Sequence, residues 1–410
     1  MWNFQTDPEF QSQLDWMMDF VKTHIEPLDY RFPGHGAPYD VHNAESRAAI
    51  RPLQDEVKKR GLWACHLGPH LGGPGYGQVK LALMNEILGR SYWAPTVFGT
   101  DEQKARYLKP LMDGDIVSCF SMTEPQAGAD PKEFTCRAWQ EGDEWVIEGE
   151  KWFSSNARYA AFLIVMAVTN PENPPHGRMS MLIVPTGTPG VEILRNVKVM
   201  GDSHDADEGI HAYIRYNRVR VPLDAMLGQP GEGFKVAQAR LGGGRVHHAM
   251  RTVGKCQRAL DMMVERANSR RSQGKLLAEH QFVQGMIADS WIELEQYRLL
   301  VMKTAWAIDE IEAGRVPPVS PRTLIAMCKV QMAKVYHDII QRAIHVHGSL
   351  GVTQELPLAD WWGGVASLAL ADGPTEVHEA QVAKALLKRG GAAPGLFPSE
   401  HIPTRMETLA

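Results

Sequence analysis

The stretch FSMTEPQAGAD, Phe120 to Asp130, decides how the rest of the chain is read. The run into Met122 has strand character, and Pro125 and Gly128 then break it into a turn. Between strand and turn stand a hydroxyl, Thr123, and a carboxylate, Glu124. Such a turn can offer backbone N–H groups and the Thr123 hydroxyl to the polar edge of a heterocycle. On composition alone it is more often an ordinary strand-to-loop turn.

Upstream of this stretch, residues 1–116 read as helices. Asp7-Pro8-Glu9-Phe10 combines a capping aspartate with a first-turn proline, and Leu14, Met17, Met18 and Val21 supply the apolar stripe that follows. Further helices are expected over about 45–60 and 78–90, with a Gly- and Pro-rich loop over 68–77 between them. Downstream, residues 117–226 change period. A turn at 140–143 precedes EWVIEGEKWF (144–153), compact strands fall at 161–168 and 179–184, and 212–221 alternates cleanly. A small antiparallel β-domain is expected there. Helix returns at about 233. Ile287, Leu294, Val301 and Ile308 recur every seven residues, Trp291 and Ala305 add the neighbouring turn, and another long helix spans about 322–346. The expected fold is therefore mainly α with a central antiparallel β-domain, divided at 1–116, 117–226 and 227–390. The tail, 391–410, reads as loosely ordered.

Composition narrows the function classes. The chain has 410 residues, 44% of them hydrophobic and 22% charged, which suits an ordinary globular protein of two or three packed units. A net charge of −5 offers no general attraction for nucleic acid or an anionic membrane surface. Cys65, Cys119, Cys136, Cys256 and Cys328 are scattered with no CxxC pair, which fits a reducing compartment and argues against a disulfide framework. The first ten residues lack the basic flank and apolar core of a secretory signal, and the apolar runs are too interrupted to span a bilayer. A cytoplasmic protein is expected. His247-His248 and His345-Val346-His347 lack the i, i+4 spacing and attendant ligands of a metal site, so none is expected. GPGYG at 73–77 is not GxGxxG and follows no strand, so a dinucleotide fingerprint is not expected either.

MTEPQAGAD (122–130) resembles the first signature of the acyl-CoA dehydrogenases. GEKWFSSN (149–156), VRVPLDAMLG (219–228), GEGF (231–234), RRSQGKLLAEHQ (270–281), HGSLGV (347–352) and ADGPTEVH (371–378) are similar to further segments of that family, in the same order. DGP followed by EVH is most similar to the subgroup whose base is Asp, including modules fused to kinase-like domains in animals. The resemblance covers nearly the whole chain. It implies an N-terminal helical domain, a central β-barrel and a C-terminal four-helix bundle. The implied reaction is FAD-dependent α,β-dehydrogenation of an acyl-CoA to the trans-2-enoyl-CoA, with an electron-transfer flavoprotein as acceptor and a homodimer or homotetramer as the assembly.

The resemblance also implies roles residue by residue. Phe120, Met122 and Thr123 match positions that line and hydrogen-bond the flavin. Phe153 stands where an aromatic, usually Trp, packs by the ring, and Ser155 matches the hydroxyl that reaches the flavin N5 edge. Arg270, Ser272 and Gln281 match a segment that contacts the FAD of a neighbouring subunit, for which a forked guanidinium suits phosphate oxygens. Ala129, His345, Gly348, Ser349, Pro374 and Glu376 fall at further cofactor positions. Arg245 matches an arginine near the base, and the glycines before it (242–244) suggest close approach by a ligand or another backbone. Asp372 is the implied base. Its apolar approach, ASLALA (366–371), would raise a carboxylate's proton affinity. Removing a proton α to a thioester and a hydride from the β carbon needs such a base within reach in a dry site. The thioester oxygen would be held by a cofactor hydroxyl and the base's own N–H. On composition alone Asp372 is more often an Asx-type turn residue before Pro374, and the resemblance reverses that.

The sequence departs from the family in several places. Segment 91–99 runs directly into 100–108, where the family has about another helix forming part of the acyl-chain wall. Both flanks match closely, which favours an omitted segment over an evolved deletion. The run before the base, WWGGVASLAL, lacks the usual arginines. Ala129 replaces Ser or Thr, His345 replaces Gln or Glu, and Ser349 stands where Gly is commonest. Two rival readings are an acyl-CoA oxidase or other flavin enzyme of the same fold, and a nucleic-acid-binding relative that does not dehydrogenate.

Overall fold

The computed structural model describes residues 6–34, 36–63, 65–66, 73–93, 110–111, 114–200, 209–393 and 395–407, with the side chains of 239–242 excepted. Local signals start the helices where expected. The Asp7 carboxylate accepts from Phe10 N at 2.9 Å and opens α1, Pro8–Phe20. After one π-turn the chain continues as α2, Glu26–Arg31. Asn43 caps α3, Ala44–Lys59, accepting from Ser46 N at 3.0 Å. The fourth helix, α4, is Gly77–Leu88. Phe10, Leu14, Met17 and Phe20 are buried together with Ile50, Leu81 and Met84, so this part of the chain has its own core.

Among the described residues eight strands follow, in one mixed sheet: β1 Val117–Ser121, β2 Arg137–Glu141, β3 Glu144–Ser155, β4 Ala160–Val168, β5 Met179–Pro185, β6 Val191–Val197, β7 His211–Pro222 and β8 Met226–Leu227. Their order is β6-β7-β3-β2-β4-β5-β8, with β1 beside β4. Most pairs are antiparallel as expected, but β1 runs parallel to β4, pairing Phe120 with Ile164, and β2 meets β4 in parallel at Arg137 and Val168. No periodicity in either strand encodes that direction. Along β7, Ala212, Ile214 and Tyr216 turn inward in the period-two pattern of a half-buried sheet, whereas β3 buries Trp145, Val146 and Ile147 in succession.

The C-terminal helices are α5 Gly233–Ser269, α6 Gln281–Glu312, α7 Pro321–His347, α8 Leu358–Leu370 and α9 Thr375–Arg389. Between α5 and α6, β9 (Arg271–Ser272) and β10 (Lys275–Leu276) form a small hairpin. Leu294 and Val301 of the heptad seam are buried, with Ile287 and Ile308 packed against them. Trp291 departs from the expectation and is 59% exposed, because the seam is narrower than a 3.6-residue face. The tail carries one short helix, α10, Ile402–Glu407, where only irregular chain was expected.

Candidate functional site

The FSMTEP turn is held from beneath. Glu124 is buried, and its carboxylate accepts from Thr135 N at 2.7 Å, Cys136 N at 3.0 Å and the Lys151 ammonium at 2.8 Å. The same ammonium donates to Met122 O at 2.7 Å, and Trp152 N donates to Thr123 O at 2.8 Å. Burial alone would push the Glu124 carboxyl up. Lys151 and the two backbone donors outweigh it and hold the carboxyl below its ordinary range. Glu124 therefore anchors the turn and offers nothing outward, which leaves the Thr123 hydroxyl, unpaired among the described residues, to face a ligand.

Next to this turn a bulge in the β3–β7 pairing between Lys151 and Ser154 carries Phe153 in the left-handed region, φ +56°. A bulky residue there is strained, and such strain concentrates at ligand sites. Phe153 is 43% exposed, with its ring centroid 5.2 Å from that of His211. Ser155 Oγ pairs with His211 Nδ1 at 2.8 Å.

On the helical side, α8 ends at Leu370 and the chain turns through Asp372, φ +57°, and Gly373, φ +107°, into α9. Three basic side chains tie this turn. Arg245 Nε of α5 donates to Asp372 O at 2.8 Å. His378 Nε2 of α9 lies 3.3 Å from the same oxygen. Lys329 of α7, 1% exposed, donates to Leu368 O at 2.9 Å and Ala371 O at 2.8 Å. Lys329 thereby satisfies carbonyls that the end of α8 leaves open. Burial pulls its ammonium down to about 8 against the opposing attraction of Asp372. Burial also lowers the proton affinity of Arg245 and of His378. The bonds to Arg245, His378 and Lys329 all end on backbone oxygens, so the carboxylate itself is left to other contacts. One is His248 Nε2, 3.5 Å from Asp372 Oδ2. A Cβ on Gly244 would stand 3.4 Å from the same oxygen, about ordinary van der Waals contact, and one on Gly243 would meet nothing within 4 Å among the described residues. The helix α5 passes through these glycines unbroken.

Both halves of the site open on one cavity of about 2320 Å³. Of the residues singled out from the sequence, Phe120, Met122, Thr123, Ala129, Phe153, Ser155, Arg245, Asp372 and Pro374 line it. Arg270, Ser272 and Gln281 do not; they are exposed around the β9–β10 hairpin. His345, Gly348 and Ser349 are likewise exposed at the end of α7, and Glu376 is exposed in the first turn of α9. From residue 94 onward the short 91–108 connection lies outside the described residues, as do 68–72 of the Gly-rich loop. Among the described residues no group of three or more His, Cys, Asp or Glu is placed to hold a metal ion.

Sequence reading had passed over Lys329, His248 and the Glu124–Lys151 pair. Lys329 has no local signal, since it lies on an otherwise ordinary helix. His248 was visible but weighed only as a metal ligand. Glu124 and Lys151 both fall inside matched segments without any pattern that joins them.

An apolar and aromatic wall, a polar turn and a carboxylate on one cavity suit an enzyme that works between a flat cofactor and a substrate. The comparisons with known proteins give that class its family. Residues 119–212 match the family profile described as acyl-CoA dehydrogenase, middle domain, and residues 231–387 match acyl-CoA dehydrogenase, C-terminal domain. The probable acyl-CoA dehydrogenase FadE2 of Mycobacterium tuberculosis is 38% identical over 91% of this chain and 94% of that one. A solved putative acyl-CoA dehydrogenase from Mycobacterium abscessus is 33% identical, with TM-score 0.83 over 94% of this chain and 100% of that one. A glutaryl-CoA dehydrogenase from Mycobacterium smegmatis, solved in complex with FADH2, shares the fold at TM-score 0.76 and 22% identity, over 95% of this chain and 97% of that one. The chain belongs to the acyl-CoA dehydrogenase family. It spans about half the length of the curated animal relatives it matches.

Proposed function

We propose that the protein oxidises an acyl-CoA thioester to its trans-2-enoyl-CoA, with Asp372 as the base. The observation that carries this reading is the Asp372 turn, which lies on the same cavity as Phe153 and the Thr123 turn and whose backbone oxygens are held by Arg245, His378 and Lys329. The cofactor is FAD, as in the family. The site suits it: an exposed aromatic at a strained position, the Thr123 hydroxyl, unpaired among the described residues, and apolar Phe120 and Met122 answer to a flat ring with a polar rim. When bound, FAD supplies the acceptor for the β-hydride.

The chain's own part begins with binding. Phe120, Met122 and Phe153 would pack the ring, with Thr123 and Ser155 at its heteroatom edge. The β-strand turn and the α8–α9 turn then hold the two reaction partners on opposite sides of the substrate. Asp372 accepts the α-proton at a carboxylate oxygen. Arg245 keeps the turn from swinging away by holding the Asp372 carbonyl. The apolar end of α8 excludes water from the proton's path.

The same reading assigns domains at 1–116, 117–226 and 227–390 with a tail at 391–410, and a homodimer or homotetramer in which Arg270, Ser272 and Gln281 reach a neighbouring subunit's FAD. Exposed Phe282, Trp291, Ile292, Leu386 and Leu387 support association through the helical bundle. His345, Gly348, Ser349 and Glu376, exposed in the single chain, would meet the cofactor in that assembly, with Ala129 and Pro374 reaching it from the cavity side. An electron-transfer flavoprotein is the proposed acceptor of the electrons and the cytoplasm the proposed location. No described helix is long and apolar enough to cross a membrane.

Anaerobic addition of an acyl-CoA panel to the yellow protein tests the reaction: substrates bleach the flavin. Asp372→Asn is expected to slow bleaching by about 10²–10⁴-fold, the usual contribution of a positioned base. Bleaching at the wild-type rate in that variant rejects Asp372 as the base. Oxygen uptake equal to substrate consumed would indicate an oxidase instead.

A further inference from the structure

The proton that Asp372 takes must leave before the next turnover, and a thioester filling the cavity blocks the way back through it. The residues around the carboxylate offer one other route. Gly244, Arg245 and His248 lie on one face of α5, spaced so that each meets Asp372 differently. Gly244 packs beside the carboxylate, Arg245 holds the Asp372 carbonyl at 2.8 Å, and His248 Nε2 reaches Oδ2 at 3.5 Å. Asp372 is 13% exposed at its side chain, whereas His248 is 47% exposed. Asp372 lines the cavity and His248 does not. The carboxylate thus stands between a substrate cavity and an imidazole that water can reach.

We propose that His248 is the proton exit for Asp372, a positioning residue that acts through the base rather than on the substrate. This rests on the assignment of Asp372 as base. After the α-proton has moved, the Asp372 carboxyl O–H bond breaks and an N–H bond forms at His248 Nε2. The ring that accepts carries its own proton on Nδ1, and the imidazolium that results passes one proton to water, so carboxylate and neutral imidazole are both restored. Nothing is oxidised or reduced in this step. The other basic groups around the turn are less suited to it. Arg245 and His378 face the carbonyl oxygen, and Lys329 faces the carbonyls of α8.

A thioester that can lose an α-proton but has no β-hydride separates this step from dehydrogenation. The probe is a 3-thiaacyl-CoA of the chain length that bleaches the wild-type holoenzyme, incubated in D2O while deuterium entry at the α carbon is followed by mass spectrometry. In His248→Gln, exchange is expected to slow at least about tenfold more than single-turnover bleaching by the ordinary substrate. In His248→Ala, added imidazole is expected to restore exchange, which a merely structural role would not allow. Exchange and bleaching slowed in equal proportion, or exchange at the wild-type rate in His248→Gln, would overturn the proposal. Asp372→Asn distinguishes the two readings: exchange that survives in that variant removes the base assignment, and exchange lost there but kept in both His248 variants removes only the exit.

Discussion

At Asp372 the backbone is left-handed, φ +57°, a conformation that Asn and Asp tolerate and β-carbon-bearing residues generally resist. This single fact separates two effects that a mutation would otherwise mix. Asp372→Asn removes the base but keeps a side chain suited to the turn, so its melting temperature should match wild type. Asp372→Ala should lose activity and also about 1 kcal/mol of stability, seen as a lower denaturant midpoint with unchanged slope. Lys329 carries the pH dependence next to it. Its proton affinity is lowered in the fold to about 8 from 10.5. Between those values the unfolded chain binds the extra proton, so stability rises as pH increases through that window. Below pH 8 both states are protonated and the burial cost of the ammonium is fully felt. The neutral amine keeps two N–H donors, enough for both carbonyls it caps. Urea midpoints measured from pH 7.5 to 10.5 should therefore climb in wild type, by on the order of 3 kcal/mol at most, and that component of the climb should vanish in Lys329→Met. The carboxylate itself was legible in the sequence through the ADGPTEVH match. Lys329 was not, because it lies 43 residues from Asp372 along the chain and only the packing of α7 against the end of α8 brings it there.

Elements were legible where their signals are local. Caps at Asp7, Asn43 and Ser320 start α1, α3 and α7 at the expected places, because each is a side-chain bond to a backbone N–H within three residues. The direction of β1 beside β4 was not, since parallel pairing depends on a crossover connection and leaves no mark on either strand. The same limit hid the Glu124–Lys151 pair, which fastens the β1 turn to β3 with both side chains almost fully buried, 1% and 0% exposed. Burying an ion pair is rarely a net gain, but removing one partner strands the other in a dry interior. Lys151→Met and Glu124→Gln should each destabilise the protein by about 3–5 kcal/mol, while the double variant should cost less than their sum. Each single variant should also release FAD more readily, because Met122 O and the turn carrying Thr123 lose their anchor. Flavin fluorescence appearing below the global melting temperature would report this, and coincident release and unfolding in Lys151→Met would refute it.

Across the whole molecule the candidate residues fall into two sets that one chain does not join. One set lines the cavity; the other, Arg270, Ser272, Gln281, His345, Gly348 and Ser349, is exposed on hairpin and helix end. A second subunit would bring the sets together, and the exposed apolar side chains near them suit that arrangement: Phe282 at 89% exposure follows Gln281 directly. A buried aromatic is the usual anchor of such an interface, with a polar rim around it. If cofactor and interface are shared, they should fail together. Phe282→Glu places a charge where an apolar contact is required and is expected to yield smaller particles by light scattering that also retain less FAD. Arg270→Ala should leave the assembly intact and weaken only FAD retention, since it removes a partner for phosphate oxygens and no apolar contact. The coupling also has a concentration signature. FAD bound across an interface stabilises the assembly by mass action, so wild-type FAD retention should fall on dilution and Phe282→Glu should bind FAD independently of protein concentration. Retention in wild type that does not change over a hundredfold dilution that dissociates the particles would confine FAD to a single chain and strip Arg270 of its assigned role.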